Sequence, residues 1–218
     1  MNFYEEYEAP EPERPEAHGM RRFFQIIGQN CDTILKLNLL FLLSCIPVIT
    51  IPPALYALHR LSRRMVKNQV VRCWSQYWEI FRKEWKQAYL AFLLTALPLT
   101  AAGYGAWFYL RNTAANVLLY LPFVFCAIVF LTALLGSGYL YALLADERKL
   151  SKETVVLSLK LGLGKPLRSV LAAVSWYGLL AVSVLWFPVS GIYLLMLGFS
   201  IPSLLWQFFV RTVLAKFT

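Results

Sequence analysis

Two groups of residues have types and spacings that chemistry could use. The first is basic. Arg60, Arg63, Arg64 and Lys67 recur at i, i+3, i+4 and i+7, and a second set, Arg82, Lys83 and Lys86, follows beside Trp78. Such a face can meet lipid headgroups, with aromatic anchors and snorkelling amines, or it can dock a cytoplasmic partner. The second group is Pro47, Thr50, Pro52 and Pro53, three prolines in seven residues with one hydroxyl among them. Proline removes a backbone donor and disfavours helix just before it. At membrane depth the freed carbonyls must be covered by protein or face a cavity, and broken helices of this kind build substrate sites in transporters. The same residues also suit a kinked anchor.

Other chemistry finds no support in the residues. His18 and His59 are the only histidines, and neither sits at ligand spacing from a carboxylate or cysteine. Cys31, Cys45, Cys73 and Cys126 are scattered and show no C-x-x-C spacing. There is no G-x-x-x-x-G-K-[ST] run, since Gly162-Leu-Gly164-Lys165 has the wrong spacing. No nucleophile–base pair is visible, so the expectation is a protein that is not an enzyme and takes no cofactor or metal.

The elements that must position these residues are apolar and long. The chain is 59% hydrophobic and only 15% charged, against about 25% charged in soluble domains. Between Gln87 and Ala145 the one charged residue is Arg111, and Ser169–Val210 has none. Segments of about 20 uncharged apolar residues span a bilayer. The expected fold is therefore an all-α polytopic membrane helix bundle of about five spans, over 36–58, 87–110, 116–145, 166–187 and 192–214. The first is broken by its prolines into two helices joined by an extended linker at 48–51, with Pro53 in the first turn of the second. The net charge of +9 flanks apolar segments, which suits membrane lipids and not nucleic acid.

Around these spans the expected domain plan is simple. Residues 1–18 hold six glutamates and three prolines and are expected to be a disordered acidic tail. Residues 19–218 form one transmembrane domain. Residues 21–35 are expected to be an amphipathic interfacial helix entering the first span, with Asp32 at the interface and Asn38 inside. Residues 74–86 are expected to be another, with Trp74, Tyr77, Trp78, Phe81 and Trp85 in one stripe and Glu79–Lys83 paired along it. Gly136-Ser-Gly138 makes a small-residue patch for a close neighbour. Ser151 is placed to cap a short helix ending near Gly162 and Gly164, and 188–191 reads as a tight turn.

Lysine and arginine number eight in 59–86 and six in 146–168, but one in 111–115 and none in 188–191. The two basic connections and the C-terminus are therefore expected in the cytoplasm. If 36–58 crosses once, the N-terminus lies outside; a re-entrant pair of half-helices would leave it inside, as Arg21 and Arg22 would prefer.

The runs NLLFLLSCIPVITIPPALYALHRL, EIFRKEWKQA and GKPLRSVL resemble the YesL family of small bacterial multipass membrane proteins of unknown function. That family's usual P-I-V-T-I-G-P-A run is matched here by Pro47-Val-Ile-Thr-Ile-Pro-Pro-Ala54, with Pro52 where glycine is usual. The resemblance implies the bacterial cell membrane. It also implies an accessory, assembly or regulatory role beside ABC-type carbohydrate uptake, and it brings no catalytic residues. The loop 146–168 lacks the signature by which importer permeases dock their ATPase. The alternative expectation is a small transporter or channel for a neutral solute, built on the broken first span.

Overall fold

The computed structural model describes residues 20–112, 117–146, 148–164, 166–186 and 191–214. The expected tail 1–18, Lys165 and most of the two short connections at 111–115 and 188–191 lie outside them. No strand occurs among the described residues.

The chain begins with α1 (Met20–Gln29) and α2 (Cys31–Cys45), bent by 76° at Asn30. The Asn30 amide donates to the Ile26 carbonyl at 3.0 Å, which competes with the helical ladder. The expected single helix over 21–35 is thus two helices. Phe23 and Ile26 of α1 and Ile34 of α2 are buried.

After Cys45 the chain does not run extended. A 3-10 turn spans Val48–Thr50 and leads directly into α3 (Ile51–Val66), with Pro52 and Pro53 in its first turn, where missing N–H groups cost nothing. The Thr50 hydroxyl explains the difference from the expected extended linker. It donates to the carbonyls of Pro47, at 2.5 Å, and Ser44, so the freed acceptors are satisfied locally. α3 ends in a Schellman-type stop at Asn68 (φ 56), with Asn68 N–H on Met65 O and Gln69 N–H on Arg64 O.

α2 and α3 form an antiparallel hairpin. Asn38 of α2 meets the start of α11 (Ser200–Leu214), whereas His59 and then Arg63 of α3 meet Ser203 and then Gln207. The thiol of Cys73, just after α3, reaches the Thr33 carbonyl near the start of α2 at 3.3 Å. Both ends of the hairpin therefore lie together. At 15 and 16 residues, each arm is shorter than a full crossing. Residues 36–58 therefore fold as two separate antiparallel arms and not as one continuous helix.

α4 (Cys73–Lys83) follows and buries Cys73, Tyr77 and Ile80, while Trp74 is exposed. The two long helices are α5 (Trp85–Asn112), with Pro98 inside it, and α6 (Tyr120–Ala145), preceded by a 3-10 turn at Val117–Leu119. These two are long and apolar enough to cross a membrane. Among the described residues there are up to four candidate crossings, by length and composition, if the bent pairs α1–α2 and 152–183 each count as one; the expected count of five is not confirmed.

α7 (Lys152–Gly164) is capped by Ser151, whose hydroxyl accepts the Thr154 N–H at 3.2 Å. It is not a free loop helix. It packs back along α6, with Leu159 over Gly136, and a Cβ on Gly162 would stand 3.2 Å from the α6 backbone. The expected fourth span is α8 (Pro166–Ala173), a π turn at Val174–Gly178 and α9 (Leu179–Leu185). The expected fifth is α10 (Gly191–Met196) and α11, separated by a turn at 197–199.

Candidate functional site

A column of polar side chains runs through the middle of the bundle along α11. At its deep end Asn38 is fully buried and closes the turn between α10 and α11. Its amide donates to Leu194 O (3.0 Å) and Leu195 O (2.8 Å), and its oxygen accepts from Phe199 N (3.0 Å) and Ser200 N (3.1 Å). That uses the full capacity of an asparagine side chain.

One turn along, Ser203 Oγ lies 3.1 Å from His59 Nδ1, both buried. The His59 ring stacks on Tyr141 (centroids 5.1 Å apart) and meets Trp176 at 4.9 Å. Trp176 is delivered by the π turn, a local widening that re-aims side chains and recurs at functional sites. Beyond it lies Gln207, whose side-chain amide is buried with no hydrogen-bond partner.

The column ends in ion pairs. Arg63 grips Asp146 in a two-pronged contact, Nε to Oδ1 at 3.0 Å and Nη2 to Oδ2 at 2.8 Å, with both side chains 4% exposed. Lys67 adds a contact to Oδ1 at 2.6 Å, and Arg60 pairs with Glu84. Burial raises the Asp146 carboxyl's pKa, but the hydrogen bonds and charges of Arg63 and Lys67 outweigh it and hold the group below its ordinary value of 3.8.

The expected basic face is therefore divided. Arg60 and Arg63 point inward and tie α3 to the start of α5 and the end of α6. They do not form part of an outer surface. Arg64 is half-buried and Lys67 is at the rim. Trp78 is half-buried, while Arg82, Lys83 and Lys86 are exposed, with Lys83 paired to Glu79 at 2.7 Å. The reason is electrostatic: a buried guanidinium needs a carboxylate, and Glu84 and Asp146 stand where α3 turns its charged side.

Beside the column lies a cavity of about 440 Å³ between α2, α3, α5, α6, the π turn and α11. Its walls include Phe41, Leu55, Phe92, Tyr141, Trp176 and Trp206. None of its lining residues is charged; the polar ones among them include His59, Thr95, Ser137 and Tyr177. Gly138 makes the cavity's shape possible. A Cβ there would fall 1.4 Å from the Trp206 ring, so only glycine lets the indole lie against α6. Of the broken-helix candidates, Pro47, Thr50, Pro52 and Pro53 do not line the cavity; Cys45 and Ile51 beside them do. Those four shape the turn, and the Thr50 hydroxyl is spent on it.

Sequence reasoning missed His59–Ser203, 144 residues apart, and Arg63–Asp146, 83 apart. Its one pointer was Asn38. Ser203 is not among the lining residues, so the pair presents an imidazole to the cavity and no serine nucleophile. No cluster able to hold a metal ion occurs among the described residues.

Compared with known proteins, residues 34–104 match the model of a family described as "Protein of unknown function, DUF624". No curated protein and no solved structure matches.

Proposed function

Through residues 34–104 this chain is a member of the YesL-like family of small membrane proteins of unknown function, and from that premise we propose that it holds an uncharged solute inside the membrane. The single observation behind this reading is the cavity. It is lined by aromatic and polar side chains, with no carboxylate, lysine or arginine among them to bind an ion. Two of its walls are the arms of the re-entrant hairpin, whose tip residues Ile46, Val48 and Ile49 are exposed. A hairpin that lines a cavity and ends in lipid is suited to be the moving part in solute exchange.

The test is flux. Purified protein in liposomes is expected to pass small uncharged solutes faster than empty liposomes do. Ala96→Trp, which fills the cavity from α5, is expected to return the flux to that baseline. Flux indistinguishable from empty liposomes across the solutes tried would end the reading.

We further infer the orientation. The pairs Arg60–Glu84 and Arg63–Asp146 bring the connections 59–86 and 146–168 to one end of the bundle, and Gln207 near the end of α11 lies there too. Fourteen basic residues across those connections support a cytoplasmic position for this end by the positive-inside rule, and a hairpin that returns to its starting side would leave α1 there too. Cytoplasm-only reporters should be active at both termini.

The accessory role beside ABC-type carbohydrate uptake is a second reading, resting on the family resemblance. The outer face of α4, with Trp74, Arg82 and Lys83 exposed, supports a docking contact. Crosslinking from that face in cells should capture a permease subunit, and its failure to do so counts against the role.

A further inference from the structure

A groove of about 660 Å³ runs along α2 beside the start of α4. It shares no lining residue with the cavity, so its occupant is independent of the solute proposed above. The two ends of the groove differ in chemistry. At one end Asp32 and Lys36 of α2 face Arg72 and Ser75. At the other, Leu39 and Leu43 continue the same face of α2, and both are more than half exposed. Asp32, Lys36, Leu39 and Leu43 stand at i, i+4, i+7 and i+11, so charge and apolar surface follow one another along the helix axis. Exposed Ile46 extends the stripe toward the hairpin tip. From Lys36 to Ile46 the helix rises about 15 Å, half of the roughly 30 Å hydrocarbon core. The fitting occupant is charged at one end and apolar over the depth of one leaflet.

The sign of that charge is set by Arg72. Lys36 is matched by Asp32, Nζ to Oδ2 at 2.5 Å. Arg72 is exposed, and no carboxylate pairs with it among the described residues. It directly precedes the first turn of α4, which no side chain caps, and the open N–H groups there add to the attraction for an anion. The groove thus carries one uncompensated positive charge. Trp74 stands at its rim, exposed, as indoles do at headgroup level.

We propose that this groove seats one anionic glycerophospholipid, with its phosphodiester at Arg72 and an acyl chain along Leu39 and Leu43. A zwitterionic phospholipid offers the same chains and phosphate. Its ammonium, however, adds a cation beside Arg72 and Lys36, and Asp32 is already taken by Lys36.

The test compares two lipids with identical chains, dioleoyl phosphatidylglycerol and dioleoyl phosphatidylcholine. Binding of the first lipid to the full chain in a neutral detergent is read by native mass spectrometry. The anionic lipid is expected to bind about fivefold tighter, the worth of one basic residue near a membrane surface. Arg72→Gln should remove most of that preference. Lys149→Gln, at an exposed lysine of the connection 146–168, should keep it. Both positions are exposed, so unchanged thermal transitions are expected for both variants. Glycerophosphoglycerol, the same headgroup without chains, should fail to displace the lipid at equal concentration. Equal affinity for the two lipids overturns the proposal, as does a preference that both variants reduce alike or that neither reduces. Displacement by the headgroup alone overturns it too, since the groove would then belong to a soluble phosphate ester.

Discussion

The end of the bundle that holds Arg63 and Asp146 and the far tip of the α5–α6 hairpin are made of different materials. The first is polar and closed: Arg63, Asp146, Ser62, His59 and Gln207 are packed between four helices. The second is apolar and open: Val117, Leu118, Leu121 and Phe125 are all at least 67% exposed, and Arg111 lies 4.5 Å over the ring of Trp107. Charge is tolerated only where a partner is built for it, and apolar surface is left uncovered only where lipid replaces a core. A soluble protein would invert the second choice. The lesson is that the polar end specifies which helix meets which, while the apolar tip asks only for hydrocarbon.

Substitutions should separate the two ends cleanly. The largest effect is expected for Asp146→Ala, which strands a buried guanidinium; unfolding in detergent should show a loss of about 3–5 kcal/mol. The same group sets a pH limit. Its carboxyl titrates below the ordinary value when folded, so its contribution is full above about pH 4 and is lost as the pH falls through the folded value. The melting temperature should therefore drop in acid, and Asp146→Ala should remove that part of the drop. Next comes Asn38→Leu, which leaves the Leu194, Leu195, Phe199 and Ser200 backbone groups unpaired; about 3 kcal/mol is expected from the same measurement. Gly138→Ala should cost about 1–3 kcal/mol by overpacking and shift tryptophan emission as Trp206 moves. The smallest change is expected at the tip. Phe125→Ala should fall within about 0.5 kcal/mol, and a loss near that of Asn38→Leu would erase the contrast.

The two ends also differed in how readily the chain disclosed them. The long apolar runs of α5 and α6 follow from hydropathy alone, because lipid imposes the same demand on every residue. Ser151, Pro52 and Pro53 mark their helix starts for local backbone reasons, and the pair Glu79–Lys83 follows from spacing. The hairpin of α2 and α3 was legible only as one of two alternatives. Hydropathy reports that a segment is apolar and not whether it passes through or returns. Arg60 and Arg63 were misleading for a related reason. Their spacing is that of a basic outer face, and nothing local shows that carboxylates 24 and 83 residues away turn them inward. The cavity was hidden similarly, since Tyr141, Trp176 and Trp206 reach it from three separate elements.

Asn38 has a consequence for how the molecule is made. Its four backbone partners lie 156 to 162 residues further along the chain. At a synthesis rate of about 5–20 residues per second, the amide waits roughly ten seconds or more for its match. During that interval the ribosome has delivered the hairpin without the segment that fastens it, so an element made early is among the last to be secured.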